Sequence, residues 1–242
     1  MNSQTISGIH HITAIASDPQ SNLDFYTQVL GLRLVKLTVN FDDPGTYHLY
    51  FGNKRGAPGS LLTFFPWPGA PRGAVGNGQV VATSFAVRPE AVGFWQSRLT
   101  AAGVAIEDLT RFGESVLRFA DPDGLPLELV GTALARSEEA WTVEDIPAAH
   151  AICGFHSATL AEDGCEQTAR LLQDVMGFEL IGSEGNRFRY AASRSRTAAI
   201  VDLVCRPEEG SGPARCTTSP GGPRTMRSSN CGETRLCEAV TT

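Results

Sequence analysis

The first 152 residues contain no cysteine, and none of the six that follow stands in a CxxC or Cys/His spacing that would hold zinc. Cys153, Cys165, Cys205, Cys216, Cys231 and Cys237 are therefore expected to be free thiols, because disulfide frameworks belong to small secreted domains. No apolar run approaches the roughly 20 residues that span a bilayer, which excludes a membrane helix. A surplus of positive charge is also missing. With a formal net charge of −6 and a pI near 5.4, the chain has no electrostatic footprint for nucleic acid. The start, MNSQTISG, has neither a basic nor an apolar segment of a secretory signal, so a cytoplasmic location is expected.

What the chain does have is 242 residues, 42% of them hydrophobic, enough for one or two domains with a true core. The stretch Gly8–Leu34 organises the reading. In a strand, Ile9, His11, Thr13 and Ile15 point to one face and His10, Ile12, Ala14 and Ala16 to the other. Asp18-Pro19 makes a turn, and Ser21 or Asn22 can cap a helix through a side-chain oxygen. Leu23, Tyr26 and Leu30 form an apolar helical face, and Gly31 sits where a helix ends in the left-handed conformation. Because neighbouring strand residues face opposite sides, His10 and His11 are not both metal ligands from one regular strand. One can bind a metal while the other lines the site, or both can be ordinary half-buried histidines.

The pattern of this stretch returns twice. Strands are expected at Leu32–Asn40, Tyr47–Phe51 and Leu61–Phe65, followed by a Pro/Gly-rich linker. Val80–Val87 opens a second unit, with a helix carrying Val92, Trp95 and Leu99 and ended by Gly103. Strands at Val104–Asp108, Glu114–Ala120 and Leu125–Val130 complete it. After an acidic connector at Arg136–Asp145, a third unit opens at Ala151–Leu160, and Gly177 closes its helix. The fold class is thus α+β, with tandem βαβββ modules at 8–68, 79–132 and 150–207 and an aberrant tail at 210–242. A single module exposes one face of its sheet, so modules must pair to bury it.

GIHHITAIASDPQSNLDFYTQVLGLRLVKLTVNFDDPGTYHLYFGN, GSLLTFFPW, FGESVLRFADPDGLPLELVG and GFHSATL together resemble the vicinal oxygen chelate superfamily, which includes glyoxalase I, bleomycin-resistance proteins and extradiol dioxygenases. Within it the chain is most similar to four-module ring-cleaving dioxygenases acting on hydroquinones. The resemblance implies Fe(II), alternatively Mn(II), held by two histidines and a glutamate, with room for an aromatic diol and O2. It implies that His11 is the first metal ligand, that His10 and Thr13 are catalytic residues near the substrate or just behind the metal ligands, with His10 the candidate for proton transfer, and that the other two ligands come from a fourth module paired with the first. Glu128 and His156 mark a possible degenerate second site in the middle modules. His48 could face the metal cavity or be structural, and His150 is expected in solvent. The partners implied are a small aromatic diol and O2, with no nucleic acid and no membrane, in a homo-oligomer. A metal-free sequestering protein of the bleomycin-resistance kind and a glyoxalase-like lyase are the alternatives.

The tail departs from that family pattern. Residues 210–242 contain no aromatic residue, no isoleucine and no histidine. Possible codons for Gly212–Cys231, regrouped one base earlier, can read AGTVHHIAWRAADDEIEQLR, a second HHI strand running into a helix. A frameshift near Glu209–Pro213 is expected to have replaced the fourth module, leaving an irregular tail and an uncovered sheet in module one.

Overall fold

The structure is a computed structural model, which describes residues 6–71, 73–136, 138–192 and 197–206. The expected tail and frameshift at 210–242 lie outside the described residues. Three runs of one strand, one helix and three strands follow each other. The first comprises β1 (His11–Ala16), α1 (Pro19–Asp24), β2 (Arg33–Val39), β3 (Tyr47–Gly52) and β4 (Leu61–Pro66). The second has β5 (Gln79–Val87), α2 (Val92–Ala101), β6 (Glu107–Arg111), β7 (Glu114–Ala120) and β8 (Pro126–Gly131). The third has β9 (Phe155–Glu162), α3 (Glu166–Arg170), β10 (Glu179–Glu184), β11 (Arg187–Ala191) and β12 (Ile200–Cys205).

The first run forms its own four-stranded sheet in the order β1-β4-β3-β2. The second and third share one eight-stranded sheet, ordered β10-β11-β12-β9-β5-β8-β7-β6, joined by antiparallel pairing of β9 with β5. In each run the first and fourth strands pair in parallel.

The helix starts one turn earlier than its side chains suggested. Asp18, not Ser21 or Asn22, is the cap; its carboxylate accepts from the Ser21 amide, and Pro19 takes the first helical position, where no amide proton is needed. Asn22 is buried instead. α1 and α3 each continue into one π-helical turn, at Phe25–Val29 and Leu171–Val175. Arg98 from α2 donates to the carbonyls of Val29 at 2.8 Å and Gln28 at 2.6 Å, satisfying backbone acceptors that a helix end leaves orphaned. Gly31, Gly103 and Gly177 all take left-handed backbone after their helices, as expected.

Burial of Ile12, Tyr26, Leu30, Leu49, Phe51, Leu62 and Phe64 packs the first sheet against its helix. The Tyr26 ring sits 4.8 Å from Phe64 and 5.1 Å from Phe51, while its hydroxyl donates to Asp121 of the second run at 3.0 Å. Two sequence expectations fail here. Cys165 and Cys205, 40 residues apart, are joined in a disulfide because folding brings the α3 entry to the end of β12. Among the described residues only Cys153 is a free thiol. His150 is not solvated but stacked on Phe94 at 4.5 Å, since its carbonyl is held by the Trp95 indole N–H.

The first and third runs meet through a reciprocal set of backbone bonds. The Ile9 amide donates to the Ala198 carbonyl at 2.7 Å, and the Phe155 amide to the Gly59 carbonyl at 2.8 Å. Gly59 in turn donates to His10, and Ala198 to His156. Each first strand is therefore anchored at its entry by the loop before the fourth strand of the other run. Gly8 and Gly154, immediately before these amides, have φ of 138° and 110°.

Candidate functional site

The face of the first sheet turned away from α1 carries the histidines. Strand alternation buries Ile12, Ala14 and Ala16 and leaves His11, Thr13 and Ile15 half-buried on the opposite side. The pairing register sets Thr13 beside Thr63 of β4, Thr63 beside Tyr50 of β3, and Tyr50 beside Lys36 of β2. His48 lies two residues from Tyr50 and so shares its face.

These side chains form one hydrogen-bonded file across the sheet. Thr13 Oγ1 lies 2.9 Å from Thr63 Oγ1, which lies 3.1 Å from His48 Nε2; His48 Nδ1 lies 2.9 Å from the Tyr50 hydroxyl. The imidazole is sandwiched by Phe65 at 4.0 Å and Tyr50 at 4.1 Å, and the Lys36 ammonium stands 5.6 Å from the Tyr50 ring centre. Burial, with the nearby charges of His11 and Lys36, pushes the His48 pKa down to about 4. The ring is neutral at every pH well above that, with one nitrogen donating and the other accepting.

His10 and His11 do not diverge as strand alternation suggested. β1 begins only at His11, so His10 belongs to the irregular entry set by Gly8, and its Nδ1 lies 3.1 Å from His11 Nδ1 with the rings edge to face. His10, His11 and Thr13 are thus brought together, with His48 on the same sheet face.

Glu128 and His156 take separate partners in the eight-stranded sheet. Glu128 accepts from Arg111 at 2.6 Å and from Ser84 at 2.8 Å. His156 Nε2 faces Glu114 at 3.2 Å, and its Nδ1 lies 2.9 Å from the Ser157 hydroxyl. Asp202 joins the array, bound by Arg189 through Nε at 2.8 Å and a second nitrogen at 3.1 Å, and by Arg187 at 3.0 Å. Arg189 also reaches Glu114 at 2.8 Å and lies over the Phe112 ring at 4.1 Å. Guanidinium groups supply the positive charge here, so these carboxylates are already neutralised and this array is a poor metal site.

Burial opposes ionisation of Glu114, but its close approach to His156, with Thr132 and the Arg189 guanidinium, outweighs it and holds the carboxyl at about 2. A depressed carboxyl pKa stabilises the fold fully above its ordinary value of 4.5, and that contribution is lost as pH falls towards 2. Urea unfolding midpoints are expected to drop steeply over that window, and Glu114→Gln to flatten the drop. An unchanged slope in the variant would assign acid sensitivity elsewhere.

The described residues do not fit a complete metal site. No group of three or more His, Cys, Asp or Glu among them could hold an ion. On the open face His11 has His10 beside it at 3.1 Å, and both His48 nitrogens are engaged. Among the described residues no Asp or Glu joins these histidines in a group that could hold an ion.

Sequence reasoning left His48 undecided and missed Thr63 and Tyr50. The i, i+2 spacing of His48 and Tyr50 was a legible signal that they share a face. The Thr13–Thr63 contact, spanning 50 residues, left none.

Comparison with known proteins accords with this architecture. Residues 8–129 match the model of the Glyoxalase/Bleomycin resistance protein/Dioxygenase superfamily. Over 200 residues the chain is 50% identical to the "Putative ring-cleaving dioxygenase MhqO" of Bacillus subtilis, covering 83% of this chain and 64% of that protein. It is 32% identical to the "Chlorohydroquinone/hydroquinone 1,2-dioxygenase" of Sphingobium indicum, covering 85% of this chain and 65% of the relative. The chain thus spans slightly less than two thirds of the length of these relatives. The crystal structure of a "putative dioxygenase" from Bacillus subtilis, 48% identical, superposes with a TM-score of 0.81 over 85% of this chain and 66% of that one. Glyoxalase I of Zea mays, 14% identical with a TM-score of 0.61 over 83% and 68% of the two chains, shares the fold alone. By fold and by sequence, the chain belongs to the glyoxalase/bleomycin resistance protein/dioxygenase superfamily.

Proposed function

We propose that the open face of the first sheet is one half of the site of a ring-cleaving dioxygenase acting with O2 on hydroquinone- or catechol-like diols. The single observation that carries this is the juxtaposition of His10, His11 and Thr13 on a half-exposed sheet face, in a chain half identical to MhqO. His11 is assigned as a ligand to Fe(II), alternatively Mn(II), and the remaining ligands to a unit that faces this sheet. His10 and Thr13 are assigned to the diol, whose ring lies against Ile15, Phe65 and Leu61. The described residues provide one corner of that metal site.

Homo-oligomerisation is part of the proposal. Among the described residues β1 has a strand neighbour on one side only, whereas β5 and β9, the first strands of the other two runs, pair with each other. A second copy offers β1 the equivalent edge and covers the open face. Light scattering that shows only monomer at rising concentration would remove this part.

The functional test uses the full chain. Under anaerobic titration Fe(II) is expected to bind weakly and the binding to vanish in His11→Ala; with hydroquinone and air, oxygen uptake is expected to be slight. Hydroquinone is expected to bind and to lose affinity in His10→Ala and Thr13→Val. Binding that ignores all three substitutions would refute the site. Tight ligand binding with neither iron nor oxygen uptake would mark a sequestering protein instead.

A further inference from the structure

The file Thr13–Thr63–His48–Tyr50 has a property that none of its members has alone. Each link joins groups that can donate or accept, and the central imidazole is neutral, so it carries one proton on one of two nitrogens. The direction of every bond in the file is then set by a single choice of tautomer. With the proton on Nε2, His48 accepts from the Tyr50 hydroxyl at Nδ1 and donates to Thr63 Oγ1. Thr63 donates to Thr13, and the Thr13 proton is free to point at a ligand. With the proton on Nδ1, His48 donates to the Tyr50 oxygen and accepts from Thr63 at Nε2. Thr63 then accepts from Thr13, and Thr13 presents only a lone pair.

We propose that His48 is a positioning residue that, through Thr63, sets whether the Thr13 hydroxyl offers a ligand a proton or a lone pair, so that this face answers both a neutral phenol and a phenolate. The inference rests on the reading of this face as the diol site. A neutral ring hydroxyl donates to Thr13 and selects the Nδ1–H tautomer; a ring oxyanion accepts from Thr13 and selects Nε2–H. In the step between them, the ring O–H proton passes to Thr13, that of Thr13 to Thr63, and that of Thr63 to His48 Nε2. His48 gives its Nδ1 proton to the oxygen of the half-exposed Tyr50, which releases its own to solvent water. One proton leaves the ring, one leaves at Tyr50, and every group between keeps its charge. Thr63, the central link, is fully buried and Phe65 flanks the imidazole, which keeps water from the middle of the file.

Nitrogen-15 NMR of the full chain labelled at histidine reads the tautomer directly. In the presence of hydroquinone well below its pKa, His48 Nδ1 is expected to be pyrrole-like. With 4-nitrophenolate, above the pKa of that probe, the pyrrole-like nitrogen is expected to be Nε2. Thr13→Val breaks the connection without touching His48, so the response of His48 to either probe is expected to vanish. His48→Phe is expected to weaken both probes about tenfold, the value of one net hydrogen bond. Shifts at His10 or His11 with an unmoved His48 would overturn the proposal and leave the diol site standing. If neither probe moves any histidine, the diol reading fails. The file is then decided in the free protein by Thr63→Val, where an unchanged His48 signal overturns it.

Discussion

Asp202→Ala is expected to cost about 3–5 kcal/mol of stability, the range for removing one partner of a buried ion pair. Asp202 is 1% exposed and holds two guanidinium groups, one of them through two nitrogens. Alanine returns none of the desolvation cost already incurred by the buried Arg189 and the half-buried Arg187, and each loses its carboxylate at this position. Against a typical total of about 5–15 kcal/mol, the loss is large enough to populate unfolded chains. The midpoint of urea unfolding is expected to fall with an unchanged slope. Replacing Asp202, Arg187 and Arg189 together with leucine and methionine is expected to recover most of the loss, because apolar residues of similar volume need no counter-charge. A single-variant loss below about 1 kcal/mol would mean that water reaches the array and that its burial is not what makes it matter.

Gly8→Ala is expected to cost about 3 kcal/mol, through strain of about 1–3 kcal/mol and a clash of similar size. Gly8 has φ of 138°, a region closed to side chains, and an added Cβ would stand 2.4 Å from the Ala198 carbonyl oxygen. That carbonyl accepts the Ile9 amide, so it cannot retreat without breaking the bond that anchors β1. Gly154→Ala meets the Gly59 carbonyl at 2.9 Å in the reciprocal position and is expected to behave alike. Gly69→Ala is the control: φ is 79° but nothing lies within 4 Å, so only the strain of about 1 kcal/mol is expected. Because His10 stands in the irregular entry that follows Gly8, Gly8→Ala is also expected to weaken hydroquinone binding. Thermal unfolding and a ligand titration on the same variants check both effects. Equal losses for Gly8→Ala and Gly69→Ala would show that the contact with Ala198 carries no energy.

The two predictions concern different depths of legibility. Gly31, Gly103 and Gly177 could be read from sequence because a helix end is a local event, decided within a few residues by which of them tolerates positive φ. The same holds for β1, whose alternating burial is written in adjacent residues. The cap on α1 lies three or four residues before the expected Ser21 or Asn22, since Asp18, Ser21 and Asn22 all have suitable oxygens and only packing buried Asn22 while Asp18 accepts the Ser21 amide. The divergence expected of His10 and His11 assumed a regular strand from Ile9, two residues before β1 begins. The correction came from a glycine conformation stabilised by contact with a loop of the third run.

The sequence by itself determined the class of fold, the repeat of one strand, one helix and three strands, and the histidine and threonine types at the head of β1. Periodicity and turn chemistry depend on neighbours in the chain, and neighbours are what a sequence displays. Only the tertiary structure decided that Thr63 stands between Thr13 and His48, that Asp202 takes Arg187 and Arg189, and that Cys165 meets Cys205. Each of those contacts depends on strand register or on packing between distant elements. A shift of one residue in register would turn every side chain to the other face while leaving the local pattern of the chain unchanged.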